Sequence, residues 1–120
     1  MATIRYLVND VDVVLSFYEA IGFTLEARWG PPFAMLKRGD LTLWLSGPGT
    51  SAAKPMPDGT IPQPGGWNRL VLEVNDLQAV VATLTQMGMR FRHEPLKGPG
   101  GRQVLVEDPA GNPVELFQPE

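Results

Sequence analysis

The sequence contains no cysteine. Disulfides, thiol nucleophiles and thiolate metal sites are therefore excluded at once. Histidine is almost as scarce: His93 is the single one, and a lone imidazole is more often a surface or edge residue than a ligand. Basic residues are outnumbered, with 10 Lys and Arg against 13 Asp and Glu for a formal charge of −3. That balance disfavours nucleic acid and anionic membranes as partners. No apolar run approaches the ~20 residues a membrane-spanning helix requires, and the N-terminus lacks a basic-then-apolar signal. These absences lead to the expectation of a soluble cytoplasmic protein. There is also no Ser/His/Asp arrangement and no GxGxxG, so neither triad chemistry nor dinucleotide binding has a sequence basis.

What is present suffices for one cored domain over 1–120, since 43% of the 120 residues are apolar. Residues 3–8 alternate and run into Asn9-Asp10, a strand leading to a helix N-cap. Val11, Val14, Leu15, Phe17, Tyr18 and Ile21 recur at helical spacing, and Gly22 stops the helix. Strand periodicity then covers 23–29, 33–37 and 41–46, broken by Gly30-Pro31-Pro32 and by Gly39-Asp40.

The second half repeats this order. Val74-Asn75-Asp76-Leu77 stands 66 residues after Val8-Asn9-Asp10-Val11, and Gly88 stands 66 after Gly22. Two independent markers at one offset indicate a duplicated module. Leu43-Trp44-Leu45 and Val114-Glu115-Leu116 are 71 apart, so the second module carries about five extra residues, placed within 95–102. The expected layout is module 1 over about 1–46, a Gly/Pro/Ser-rich linker over 47–66 and module 2 over about 67–120. The run Gly98-Pro99-Gly100-Gly101 does not join a strand to a helix and reads as a flexible flap. Each sheet, of about four strands, should carry a helix on its outer face and leave the other face to curl around a cavity.

The period of two assigns the faces. On the first strand Ile4, Tyr6 and Val8 should meet the helix, with Thr3, Arg5 and Leu7 facing the cup. On 67–74, Leu70, Leu72 and Val74 should pack outward while Trp67, Arg69, Val71 and Glu73 face inward. On 41–46 the leucines pack outward and Thr42, Trp44 and Ser46 line the cup. Near the C-terminus, Glu107-Asp108-Pro109-Ala110-Gly111-Asn112-Pro113 turns the chain sharply between apolar runs, a hairpin whose outgoing strand puts Glu115 and Phe117 on one face.

Asp108-Pro109-x-Gly111-Asn112 followed by Glu115-Leu116 resembles the C-terminal signature of the vicinal oxygen chelate superfamily, the glyoxalase, bleomycin-resistance and dioxygenase family. Arg5-Tyr6-Leu7-Val8-Asn9-Asp10 and Ser16-Phe17-Tyr18-Glu19-Ala20-Ile21-Gly22-Phe23 are similar to the family as well. The resemblance implies an α+β fold of two βαβββ modules around a cupped mixed sheet, and a homodimer, because relatives usually complete their clefts with a second chain. Metal-using members take ligands from four positions, which the resemblance places at Thr3, Trp44, Arg69 and Glu115. Only Glu115 can bind a divalent metal, and such a site needs about three donors on one ion. The expectation is therefore no metal and no cofactor.

Two readings of the cup remain open. Arg69 and Glu115 could form an ion pair that replaces the metal. Alternatively, Arg5 or Arg69 presents its planar fork to a carboxylate, enolate or phenolate of a bound molecule, with Glu73 and Glu115 as acceptors or as a base. Trp29 is read as core, whereas Trp44 and Trp67 offer stacking surfaces. Met35, Met56 and Met89 add adaptable surface if they face the cup, while Met87 belongs to the helix core. The leading expectation is a metal-free binder of a planar aromatic small molecule, of the drug-sequestering type, contacted by Thr3, Arg5, Phe33, Met35, Trp44, Trp67, Arg69, Glu73 and Phe117. The alternative is a metal-independent isomerase, lyase or cyclase in which Glu115 and Arg69 are catalytic, with proton abstraction beside a carbonyl as the reaction class. Least favoured is a metal enzyme with a shifted site recruiting His93 and Glu73 or Glu94.

Overall fold

The computed structural model describes residues 2–120. It holds two compact units, one running to Gly65 and the other from Gly66 to Glu120. In the first, β1 (Ile4–Leu7), α1 (Val11–Ala20), β2 (Thr24–Trp29), β3 (Phe33–Arg38) and β4 (Leu41–Ser46) form a helix on a sheet ordered β1-β4-β3-β2. Strand β1 is parallel to β4 and the other pairs are antiparallel. A short 3-10 helix, Ser51–Ala53, lies in the following loop.

The second unit repeats the order with β5 (Leu70–Glu73), α2 (Leu77–Gln86), β6 (Arg90–Phe91), β7 (Leu96–Gly98), β8 (Gly101–Glu107) and β9 (Pro113–Pro119). Its sheet runs β5-β9-β8-β6, with β7 beside β8. Strand β7 occupies the stretch where the extra residues were expected. The run Gly98-Pro99-Gly100-Gly101 is accordingly the tight connection of the β7–β8 hairpin rather than a flap, with Gly98 paired to Gly101. Among the described residues no helix is long and apolar enough to cross a membrane.

Local chemistry explains why the elements begin and end where they do. The Asp10 carboxylate accepts from Asp12 N (3.0 Å) and caps α1, and Asp76 accepts from Ala79 N (3.1 Å) and caps α2; each such cap contributes about 1 kcal/mol. Gly22, at φ +101°, supplies the left-handed turn that stops α1. The Asp-Pro-x-Gly-Asn hairpin is held by one buried side chain. Asp108 Oδ1 accepts from Ala110 N (2.8 Å) and Asn112 N (3.0 Å), and Oδ2 accepts from Asn112 Nδ2 (3.0 Å). Beyond it, Leu77 N donates to Gln118 Oε1 (2.7 Å), tying the start of α2 to β9.

In each unit one sheet face is dry and packed on its helix. Val11, Val14, Phe17 and Tyr18 of α1 are buried with Ala34, Leu36, Leu43 and Leu45 of the sheet. Leu77 and Leu84 of α2 are buried with Leu70, Leu72, Val104, Val106, Val114 and Leu116. The opposite faces carry the polar and aromatic side chains that concern function.

The alternating stretch 90–94 is strand only over Arg90–Phe91, and His93 lies in the bend after it with Nδ1 2.6 Å from the Glu94 carbonyl oxygen. Met87 is the C-cap of α2 and exposed rather than core, because it lies just past the last helical residue, Gln86. Met56 is also exposed, in the loop that follows the 3-10 helix. The strand expected from 67 starts at Leu70 and ends at Glu73, so Trp67 and Arg69 precede it and Val74 follows it.

Candidate functional site

In the first unit the open sheet face carries one large side chain from each strand, in the order in which the strands lie. Arg5 of β1 pairs across the ladder with Trp44 of β4, and its guanidinium carbon stands 5.1 Å from the indole centroid, within cation–π range. Phe33 of β3 meets Trp44 edge-on at 5.7 Å and 71°. Trp29 of β2 pairs with Phe33 across the Gly30-Pro31-Pro32 turn, and the two rings stack at 5.6 Å and 6°. Arg5, Trp44, Phe33 and Trp29 thus form a belt across the whole sheet, roughly 14 Å long at the usual strand spacing. Met35, half-buried and opposite Trp44, lies on the same face.

Trp29 is 63% exposed, which overturns its reading as core. The physical reason is a register shift between Leu25 and Ala27. Leu25 is opposite Leu36 on the helix side, whereas Ala27 is opposite Met35 on the open side, so the strand changes phase at Glu26. The turn is held by Arg28, which donates to Asp12 Oδ1 (2.8 Å), Gly30 O (3.1 Å) and Pro31 O (2.7 Å).

Beside the belt are two polar atoms with nothing to bond. Among the described residues, the buried side-chain atoms without a hydrogen-bond partner are Trp44 Nε1 and Ser46 Oγ. Both side chains belong to the open face of β4, two residues apart. Ser46 is 1% exposed and lies opposite Leu7 on one side and Phe33 on the other.

The open face of the second unit mixes charged side chains with Val71, Leu105 and Phe117. Glu115 of β9 accepts from Arg69 Nε (3.2 Å) and Nη2 (3.0 Å), while Arg69 Nη1 donates to the Trp67 carbonyl (3.3 Å). The Arg69 side chain is 34% exposed and that of Glu115 12%. Val71 is the direct neighbour of Glu115 on β5, and Glu73 that of Phe117. Trp67 stands apart from this pair. Its ring lies 4.4 Å from the Arg92 guanidinium carbon, and Arg92 also donates to Glu107 Oε2 (2.8 Å), Gly66 O (2.8 Å) and Gly111 O (3.3 Å). Arg92 and Glu107 escaped the sequence reading, because nothing in an alternating stretch names a partner fifteen residues away.

The four positions that metal-using relatives devote to ligands do not suit an ion in this chain. Thr3 is exposed ahead of β1 and Trp44 offers an indole. Arg69 brings a cation that already engages Glu115, which leaves one carboxylate where about three donors are needed. Among the described residues no group of three or more His, Cys, Asp or Glu could hold a metal ion, and this includes the surroundings of His93, Glu73 and Glu94.

Solved structures share this fold. A solved structure of TnmS3, an antibiotic binding protein from Streptomyces sp. CB03234, is 28% identical with a TM-score of 0.70, covering 100% of this chain and 97% of that one. A bleomycin-binding protein solved with bleomycin is 26% identical with a TM-score of 0.66, covering 100% of this chain and 98% of that one. An uncharacterized protein of Mycolicibacterium smegmatis is 26% identical over 92% of this chain and 86% of its own length. The model of the Glyoxalase/Bleomycin resistance protein/Dioxygenase superfamily matches residues 1–116. With both strand-helix-strand repeats, the Asp108 hairpin and this match in agreement, the chain belongs to that superfamily.

Proposed function

We propose that this protein binds and sequesters a planar aromatic small molecule, using residues 1–120 as one functional domain and no metal at the family position. The observation that carries the reading is the belt of Arg5, Trp44, Phe33 and Trp29 on the open face of the first unit. Aromatic rings in contact along a sheet face, Trp29 exposed and Phe33 and Trp44 half-buried, give a ligand a rigid contact surface at small entropic cost, and stacking of one ring is worth ~1–3 kcal/mol. Antibiotic- and bleomycin-binding proteins of the same fold support a small-molecule ligand. Of the contact residues inferred from sequence, Arg5, Phe33, Met35 and Trp44 support the reading as one surface. Thr3 joins it only from the exposed end of β1, and Trp67, Arg69, Glu73 and Phe117 belong to the second unit.

Titration with a panel of polycyclic aromatic natural products should quench tryptophan emission, and Trp44→Ala should weaken the tightest binder by about tenfold or more. No response across the panel would count decisively against the reading. A homodimer is part of the proposal, and a monomer in sedimentation equilibrium at micromolar concentration removes that part.

A second reading rests on the contact between Arg69 and Glu115. A carboxylate held on a half-buried face beside a guanidinium has the composition of a metal-independent isomerase or lyase site, with Glu115 as the base and Arg69 facing the developing oxyanion. The direct bond between them favours a mutually satisfied pair, so this reading ranks below binding.

A further inference from the structure

The belt explains why a flat ring would settle on the first unit, but it leaves Trp44 Nε1 and Ser46 Oγ without partners. Buried polar groups are nearly always bonded, and a single orphan calls for an explanation. Here two occur on one strand, on one face, two residues apart, beside the most exposed aromatic stack of the unit. An indole N–H can only donate, whereas a serine hydroxyl can donate or accept. A group that satisfies both atoms must therefore bring an acceptor.

We propose that Trp44 Nε1 and Ser46 Oγ are the hydrogen-bond donors for a carbonyl oxygen at the ring edge of the bound aromatic molecule, which makes the ligand class a planar aromatic ketone or quinoid compound. The inference rests on the aromatic-binding reading and sharpens it. Phe33 stands opposite Ser46 across the β3–β4 ladder and edge-on to Trp44, with Trp29 stacked on it in turn. Both donor atoms are covered, so binding needs a neighbouring side chain to move aside, and Phe33, opposite Ser46 and edge-on to Trp44, is placed to do so. The Arg5 guanidinium over the Trp44 ring then suits an anionic substituent on the same molecule. Site geometry of this kind discriminates well, because an analogue lacking the oxygen leaves both donors unpaired.

The test uses the full chain and two probes of one shape, 9-oxofluorene-2-carboxylate and fluorene-2-carboxylate, which differ in the ring-edge oxygen. Calorimetric titration should show the ketone bound about tenfold or more tightly. Trp44→Phe keeps a ring and loses the N–H; it should abolish that preference while fluorene-2-carboxylate still binds. Ser46→Ala should reduce it. Equal affinity of the two probes for the unmodified protein overturns the inference and leaves the aromatic-binding reading standing, as does a preference undiminished in Trp44→Phe. Binding of neither probe overturns both.

Discussion

Gly101→Ala should destabilise the protein by about 3 kcal/mol, lowering the melting temperature by roughly 10 °C. A Cβ at this position would meet the Gln118 carbonyl oxygen and lie 3.0 Å from both Gln118 C and Pro119 Cα. These are backbone atoms of β9, the strand that pairs with β8 at Gly101↔Pro119, so no side-chain rotation relieves the clash. The two strands must separate at their shared end, which also endangers the bond from Glu120 N to Gly100 O (2.9 Å). Gly98→Ala is the matched control. It lies across the same short hairpin with nothing within 4 Å of the added methyl, and should change stability by less than ~1 kcal/mol. Thermal or urea unfolding of the two variants reads the difference, and equal stability would refute the close-packing argument.

Much of this architecture was legible in the sequence because its signals are local and repeated. Asp10 and Asp76 cap helices that begin 66 residues apart, and β1 and β5 begin at the same offset. The Asp-Pro-x-Gly-Asn turn announces itself because one carboxylate must gather three N–H groups within five residues. Face assignments held wherever a strand is regular: Arg5 with Trp44, and Glu115 with Phe117, follow from alternation alone. Trp29, read as core because aromatic rings usually are, is exposed where β2 leaves regular geometry. Counting by twos from buried Phe23 puts Trp29 on the helix face, and the irregularity at Glu26 reverses the count. The hairpin offers a better signal. Three residues separate Trp29 from Phe33, so the two are cross-strand neighbours on one face, and Phe33 is in phase with Met35 opposite Trp44. Trp67 was misplaced for another reason. Arg92 donates to Gly66 O and Gly111 O and lies over one face of the Trp67 ring, and long-range contacts of that kind leave no trace in periodicity.

Arg69→Met should cost about 2 kcal/mol, and substitution of its partner Glu115 should separate the two functional readings. Removing one member of a well-buried ion pair typically costs ~3–5 kcal/mol, because the remaining charge is left without water or partner. Glu115 is 12% exposed and qualifies, but Arg69 is 34% exposed, so water screens part of the interaction and the smaller figure is expected. Glu115→Gln leaves a neutral acceptor for the guanidinium and should cost less. In the double variant Arg69→Met/Glu115→Gln neither charge remains, so much of the loss should be recovered, giving a coupling of about 1–2 kcal/mol in unfolding free energy. A coupling near zero would mean that the contact of 3.0 Å contributes little in solution. Function separates along the same substitutions. If the pair is a structural replacement for a metal, Glu115→Gln leaves aromatic ligand affinity nearly unchanged and no turnover is found to lose. If Glu115 is a base, the unmodified protein interconverts or cleaves a carbonyl compound it binds, and Glu115→Gln abolishes that turnover while binding persists, a loss in kcat with little change in KM. The direct bond to Arg69 predicts the first outcome, since a carboxylate fully engaged by its neighbour must surrender that partner before it can take a proton from anything else.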